Sequence, residues 1–383
     1  MGFGEGGVDV AEVVTKADLE AFISVPWTVY RDDPYWTPPL RFERREMLDR
    51  RKNPFFQHAE AAYFLARIDG KPVGRISAQV DRLAQEHQGP GTGHFGFLEA
   101  VDDPLVFDAL FHAAEDWLRA RGMTRVLGPF SPSINEESGL LVEGFDEPPR
   151  LLMGHARPYY GQHVEAMGYA KVQDLWAYDL NITHEFPGNV QRLLDKARKQ
   201  DKLKLRRVSK KNFADELKII IDIFNDAWRD NWGYIPMTDA EIDKMGRDLK
   251  PFIKEQGCMI AEWEGVPTAF MLTVPDINQA ARDLNGNMLP FGWAKLAWRL
   301  LVKSPTQCRV PLMGVRKQFQ GTLAGASMAL LLIETIRQAT TREVGYRRAE
   351  LSWILESNVP MQRILEMILC RHYKTYRMYE KPL

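Results

Sequence analysis

Cysteine is scarce in this chain: Cys258, Cys308 and Cys370 are the only three in 383 residues, far apart and with no C-x-x-C pair. A scattered, odd set argues against a disulfide framework or a zinc site and fits a reducing compartment. Charge of one sign is missing too. Fifty Lys and Arg against 51 Asp and Glu leave a formal net charge of −1, so no basic field recruits nucleic acid. The eight histidines show no metal-ligand spacing, and no G-x-S-x-G elbow is present, which disfavours a metal centre and a serine hydrolase. No apolar run approaches the ~20 residues of a transmembrane helix. The opening MGFGEGGVDV lacks a basic stretch and an apolar core, so no signal peptide is expected; Gly2 lacks the following Ser or Thr that myristoylation prefers. The expected location is the cytoplasm, with peripheral attachment to the inner face of the plasma membrane left open.

What is present is enough chain for two domains. In the first half, Val8–Val14 suggests a strand and Lys16–Tyr30 a helix. Ala62–Ile68 and Val73–Val80 flank Asp69-Gly70, a hairpin signal. Gln85–Gly93 reads as a polar loop and His94–Val101 as a strand, and Asp103-Pro104 opens a helix. The second half repeats the plan, with Phe213–Asp230 as a helix, a capping box at Thr238–Glu241 and a hairpin at Glu264-Gly265. This predicts an α/β (α+β) protein of two tandem domains, each a mixed twisted sheet flanked by helices. The boundaries are 1–180, a linker helix at 181–203, and 204–383 with an insertion at 276–305.

Within the second domain, an apolar run ends at Val315, a loop with two glycines follows, and a helix begins near Gly325. Bare amides at a helix N-terminus suit a phosphate. The pattern resembles motif A of the GNAT acyltransferase superfamily, Q/R-x-x-G-x-G/A, standing here as Gln320-Gly321-Thr322-Leu323-Ala324-Gly325 with Leu323 at the first glycine. Ala349–Leu355, then Asn358-Val359-Pro360 opening a helix, and a terminal strand or hairpin at His372–Lys381 complete the order of a GNAT C-terminal half. The resemblance implies acyl-CoA as co-substrate, with no permanently bound cofactor. Its pyrophosphate would lie on Gln320, Gly321, Thr322, Leu323, Ala324, Gly325 and Ala326, and its thioester near Met313, Gly314 and Val315. The tyrosine that serves GNATs as general acid is here Leu365.

Amide formation needs a base for the amine proton and donors for the oxyanion. Glu350 can accept that proton directly or through water, or can be a surface carboxylate pairing Arg347 or Arg348. Asn358 can hold a substrate or pantetheine amide, or simply cap its helix. In the first domain Glu99 is a lone carboxylate in an apolar strand; facing inward, it would have a raised pKa suited to base work. The loop Ser131–Gly139 follows a strand and offers Asn135, Glu136 and Glu137 to an acceptor. Asn231 and Trp232, with Trp228 and Tyr234, form a candidate acceptor wall. The insertion mixes Trp293 and other apolar residues with Lys295, Arg299 and Lys303, which suits a membrane interface or an acyl-chain wall, or a helix packed on its own domain. In the first domain Asp102, Asp103 and Pro104 stand where motif A would, which would repel a pyrophosphate and remove an amide.

Nearly the whole chain also resembles the tandem-GNAT family that includes bacterial ceramide synthases. The residues that carry this are DDPYWTPPL (Asp32–Leu40), KNPFF (Lys52–Phe56), GHFGFLE (Gly93–Glu99), GPFSPSINEESGLLVEGFD (Gly128–Asp146), NWGYIP (Asn231–Pro236) and LSWILESN (Leu351–Asn358). The resemblance implies transfer of a fatty acyl group from acyl-CoA to an amine-bearing lipid acceptor, a sphingoid base or its 3-oxo form. A soluble amine or cell-wall precursor as acceptor, and a non-catalytic acyl-CoA-binding role, stay open at this point.

Overall fold

The computed structural model describes residues 7–383; the Gly2 reading falls outside them. They form two compact units. One holds the residues up to Leu175 with Leu284–Asn287 and Lys374–Leu383, the other Trp176–Asp283 with Met288–Tyr373.

The first unit runs β1 (Asp9–Glu12), α1 (Lys16–Val29), α2 (Arg41–Leu48), β2 (Ala59–Ile68), β3 (Lys71–Asp81), α3 (Arg82–Gln88), β4 (Thr92–Ala100), α4 (Pro104–Arg119), β5 (Arg125–Gly128), β6 (Phe130–Ser131), β7 (Glu137–Ser138), β8 (Leu140–Glu143) and α5 (Tyr160–Ala166). Its strands are ordered β1-β2-β3-β4-β5, with β5 pairing the C-terminal strand, and among these pairs only β4 and β5 are parallel. Asp69 and Gly70 both take positive φ, 51° and 73°, as a two-residue hairpin turn demands. Alternation along β3 separates two faces. A Cβ on Gly74 would come within 2.8 Å of Val106 and Leu110, so α4 lies close on that side. Arg75 turns to the other side, where its Nη1 donates to Phe22 O of α1 at 3.0 Å.

The second unit begins within β9 (Ala170–Asn181). It continues through α6 (Gly188–Arg198), β10 (Leu203–Arg207), α7 (Phe213–Trp228), α8 (Asp239–Leu249), β11 (Cys258–Trp263), β12 (Val266–Pro275), α9 (Ile277–Ala281), α10 (Gly292–Trp298), β13 (Gln307–Val315), α11 (Leu323–Ala339), β14 (Arg348–Leu355), α12 (Val359–Met367) and the start of β15 (Arg371–Pro382). Its strand order is β9-β14-β13-β12-β11-β10. The core joins Val190 and Leu194 of α6, Met328, Leu332 and Ile336 of α11, and strand residues such as Val310 and Leu351.

Three expectations are corrected. The polar segment after β3 is partly helical, because Asp81 accepts from Leu83 N at 2.9 Å and caps α3 over buried Ala84. The charged stretch 181–203 is no free linker: Val190, Leu194 and Ala197 of α6 are buried in the second unit's core. The final strand belongs mostly to the first unit, where Tyr376, Met378 and Tyr379 are fully buried and Tyr379 pairs with Gly128.

Candidate active site

In the second unit the parallel ladder of β13 and β14 runs from Gln307–Arg348 to Val310–Leu351 and stops. β13 continues beside β12 as far as Val315–Ala269, so the strands splay and Met313, Gly314 and Val315 lie beyond the fork. Trp228, closing α7, donates its indole N–H to Met313 O at 3.0 Å. The loop after β13 is pinned by Gln320, whose Nε2 donates to Ala227 O and Val315 O at 3.0 and 2.9 Å. Gly321 takes φ +71°, and a Cβ on Gly325 would sit 2.1 Å from Phe319 O, so the close approach of loop and helix requires glycine there.

Helix α11 starts at Leu323, two residues ahead of the expected Gly325, because Thr322 is its N-cap. Thr322 Oγ1 accepts from Gly325 N at 3.1 Å, and Ala326 N bonds back to Thr322 O. The amides of Leu323 and Ala324 therefore open the helix without intrahelical acceptors. Leu323, where the GNAT pattern has glycine, turns its side chain outward and is 76% exposed. Two cations that sequence reasoning passed over flank this loop. Arg316 pairs with Asp222 and Lys317 with Asp230, while Lys317 N donates to Asp226 Oδ2 at 2.8 Å. The dipeptide Arg316-Lys317 just ahead of the loop was the available signal.

Glu350 sits at the crotch of the fork, opposite Arg309, and both are buried. Its Oε1 accepts from Ser352 Oγ at 2.6 Å and lies 3.5 Å from Arg309 Nε, and its Oε2 accepts from the Tyr373 hydroxyl. Arg309 also donates to Ser352 Oγ at 2.9 Å and lies over the Trp353 ring. The surface alternative for Glu350, pairing Arg347 or Arg348, is corrected; Arg348 pairs with Asp179 instead. Sequence reasoning missed Arg309, a lone cation in an apolar strand that called for a buried partner. Asn358 caps α12, its Oδ1 accepting from Met361 N at 3.2 Å, and Leu365 is fully buried in the core.

The first unit forks in the same way. The β4–β5 ladder ends at His94–Leu127, while β4 runs on to Ala100 beside β3. Here β6 fills the fork: a Cβ on Gly96 would lie 1.7 Å from Phe130 O, and Phe97 N donates to Ser131 Oγ at 2.9 Å. A bulge leaves Phe97 at φ +47° and brings Glu99 opposite Arg75. Glu99 accepts from Tyr30 and Tyr160 hydroxyls at 2.5 and 2.8 Å, with Arg75 Nη2 at 3.7 Å. Burial pushes its pKa up to about 7, against the pull of Arg75 and the two hydroxyls. Nearby, His155 Nε2 meets Asp33 Oδ2 at 2.9 Å. Glu137 pairs with Arg44, and Asn135 N donates to Ser133 Oγ at 3.3 Å. Glu136, one turn position earlier, is half-buried. At the helix after β4, Asp103 caps α4 by accepting from Leu105 N, and Pro104 takes the first helical position.

The structure gathers Glu99, Glu136 and Glu137 in the first unit and Glu350 with Met313–Ala326 in the second. Asn231 and Trp232 lie in the loop after α7, but Trp228 makes the contact to the fork. Trp293 stands on α10 in the insertion and is 58% exposed. Among the described residues no group of His, Cys, Asp and Glu is placed to hold a metal ion, and no helix is long and apolar enough to cross a membrane.

Two forked sheets in tandem, the second leading into an open helix N-terminus, define a tandem GNAT fold. The fold is similar to that of a tandem GNAT protein from the clavulanic acid biosynthesis pathway, with a TM-score of 0.58 at 12% identity over 98% of each chain. It is also similar to a GCN5-related N-acetyltransferase from Sphaerobacter thermophilus, with a TM-score of 0.52 at 12% identity over 98% of this chain and 95% of that one. No protein-family model matches the sequence. The chain belongs to the family of the bacterial ceramide synthase of Caulobacter vibrioides, to which it is 46% identical over 377 residues and 98% of each chain. It is likewise 46% identical, over 375 residues, to protein YghO of Escherichia coli, across 98% of this chain and 95% of that one.

Proposed function

We propose that this chain transfers a long fatty acyl group from acyl-CoA to the amine of a sphingoid base, the chemistry for which its Caulobacter relative is named. The observation that carries the reading is the β13–β14 fork leading straight into the open N-terminus of α11. Acyl-CoA lays its pyrophosphate on Gln320–Ala326, where the Leu323 and Ala324 amides and the helix dipole meet it. Its thioester lies in the fork beside Met313–Val315. The amine nitrogen attacks the thioester carbon, the new C–N bond replaces the C–S bond, and coenzyme A leaves as thiolate. A thiol with a pKa near ~8.5 leaves without an obligatory acid, which suits the burial of Leu365 in the core. The amine proton passes toward Glu350 by way of the Tyr373 hydroxyl that bonds it. Asn358 remains a cap, and Trp228 replaces Trp232 as the aromatic wall at the fork.

The insertion is read as the contact with the lipid phase. Leu289, Phe291, Trp293, Trp298, Leu301 and Val302 are each more than half exposed, whereas Leu296 and Leu300 anchor the segment. Lys295 and Arg299 both bind Asp283, and exposed Lys303 adds a cation at the end of the segment, which suits an anionic lipid surface. This supports peripheral attachment to a membrane surface.

Purified protein given palmitoyl-CoA and dihydrosphingosine, or its 3-oxo form, should release coenzyme A and yield an N-acyl product of the matching mass. Turnover of acetyl-CoA with soluble amines only would overturn the lipid reading. Replacing Phe291 and Trp293 by serine should reduce co-sedimentation with phosphatidylglycerol vesicles severalfold; unchanged co-sedimentation would remove the insertion from the membrane reading.

A further inference from the structure

On the α1 side of the first unit's sheet lies a run of buried polar groups that the acyl-CoA site does not use. Arg75, Ser77 and Gln79 alternate along β3, and the register sets Tyr63 of β2 opposite Ser77. All four side chains are more than nine-tenths buried. Yet the Tyr63 and Ser77 hydroxyls, Gln79 Oε1 and Arg75 Nε have no hydrogen-bond partner among the described residues. Glu99 completes the row opposite Arg75, and the Phe22 ring covers Tyr63 at 5.3 Å. Each buried donor or acceptor left unsatisfied costs about 1–3 kcal/mol. Four of them on one strand-pair face, next to a carboxylate, mark a place where a fold accepts instability for the sake of a ligand.

We propose that this face binds the polar head of the amine acceptor: an amine with neighbouring hydroxyl or carbonyl oxygens. The donor and acceptor set fits that class. Gln79 Oε1 accepts from a hydroxyl, Tyr63 and Arg75 donate to an oxygen, and Ser77 does either, so the row holds the oxygens of the head and leaves its amine free to react. Arg75 and Glu99 lie opposite each other, so the row carries both signs and suits a head with donors and acceptors rather than a bare anion. The identity of the ligand rests on the acyl-transfer reading; the unsatisfied face does not.

The test uses the full chain without acyl-CoA and the water-soluble probe 2-amino-1,3-octanediol, titrated by calorimetry. Wild type should bind it. Ser77→Ala and Tyr63→Phe should each bind at least about fivefold more weakly while melting no lower than wild type, because each deletes an unsatisfied buried group. In turnover of palmitoyl-CoA with dihydrosphingosine, both should raise the KM for the base and leave that for palmitoyl-CoA unchanged. No binding by wild type, or equal affinity in all three proteins, would overturn the inference. Wild-type turnover with an unaltered acceptor KM in both variants would also overturn it and leave the proposed function standing. Binding lost in the variants, with no turnover by wild type, would support this site and sink the proposed reaction.

Discussion

Both units part their parallel strands a few residues into the ladder, at His94–Leu127 in the first and at Val310–Leu351 in the second. Past the fork the two diverge. In the first unit β6 occupies it so closely that Gly96 has no room for a Cβ, and the next helix is closed by Asp103 and Pro104. In the second unit the fork residues Pro311, Leu312 and Met313 stay half-buried, and the next helix opens on amides with only a threonine cap. One copy has turned its opening into core, and the other has kept it partly exposed. Duplication of a fold thus need not duplicate a site.

The sharpest way to break this comparison is at the helix openings. Gly325→Glu should abolish acyl-CoA binding in calorimetry, by clash with Phe319 O and by charge, whereas Leu105→Glu in the first unit, already 66% exposed, should leave it unchanged. Equal binding by the Gly325 variant would remove the phosphate from this loop. Next come the forks themselves. Gly96→Ala should cost about 3 kcal/mol of stability in denaturant unfolding, because the intruding atom is backbone. Gly314→Ala, whose Cβ meets the Phe270 ring edge at 3.0 Å, should cost about 1 kcal/mol. Similar losses in the two would mean that the forks are equally filled.

The raised pKa of Glu99 gives a third contrast. A carboxyl whose folded pKa exceeds its unfolded value holds its proton more tightly when folded. Its contribution to stability is therefore complete below the ordinary glutamate value, declines as pH rises, and is gone above about 7. Between those limits the loss is on the order of 3 kcal/mol. Glu99→Gln should flatten that part of the unfolding profile; an unchanged slope would place the titration elsewhere. Smallest is Trp228→Phe, which removes the indole donor to Met313 O and should lower turnover about fivefold with acyl-CoA affinity nearly intact.

Much of this was legible in the sequence because it rests on local chemistry. The hairpin turns at Asp69-Gly70 and Glu264-Gly265, the caps at Asp103 and Thr238 and the glycine loop before α11 each announce themselves by residue type. Glu99 stood out as a carboxylate in an apolar strand, and its burial agrees with that reading. The partners were not legible. Tyr30 and Tyr160 reach Glu99 from 69 and 61 residues away, and Arg309 meets Ser352 and Glu350 only because two strands lie in parallel register. The plug in the first fork was hidden for the same reason: Ser131–Gly139 looks like a polar loop, and only the folded chain pairs β6 with β7 and sets Phe130 O against Gly96. Nor does the charge pattern of 181–203 show that Val190, Leu194 and Ala197 bury one helical stripe.

The last strand of the first unit has a consequence for biosynthesis. β5 and β8 find their partner in Thr375–Pro382, and Lys374 Nζ ties down Gly144 O and Glu147 O at 2.7 Å each. At a ribosomal pace of about 5–20 residues per second, the polypeptide up to Leu175 waits roughly ten to forty seconds for that strand to emerge. Trp176–Tyr373 is nearly continuous in sequence, interrupted only at Leu284–Asn287, and is complete before Lys374 is added. The half made first is the half finished last, and through that interval its sheet presents an unpaired β5 edge to whatever chaperones attend the nascent chain.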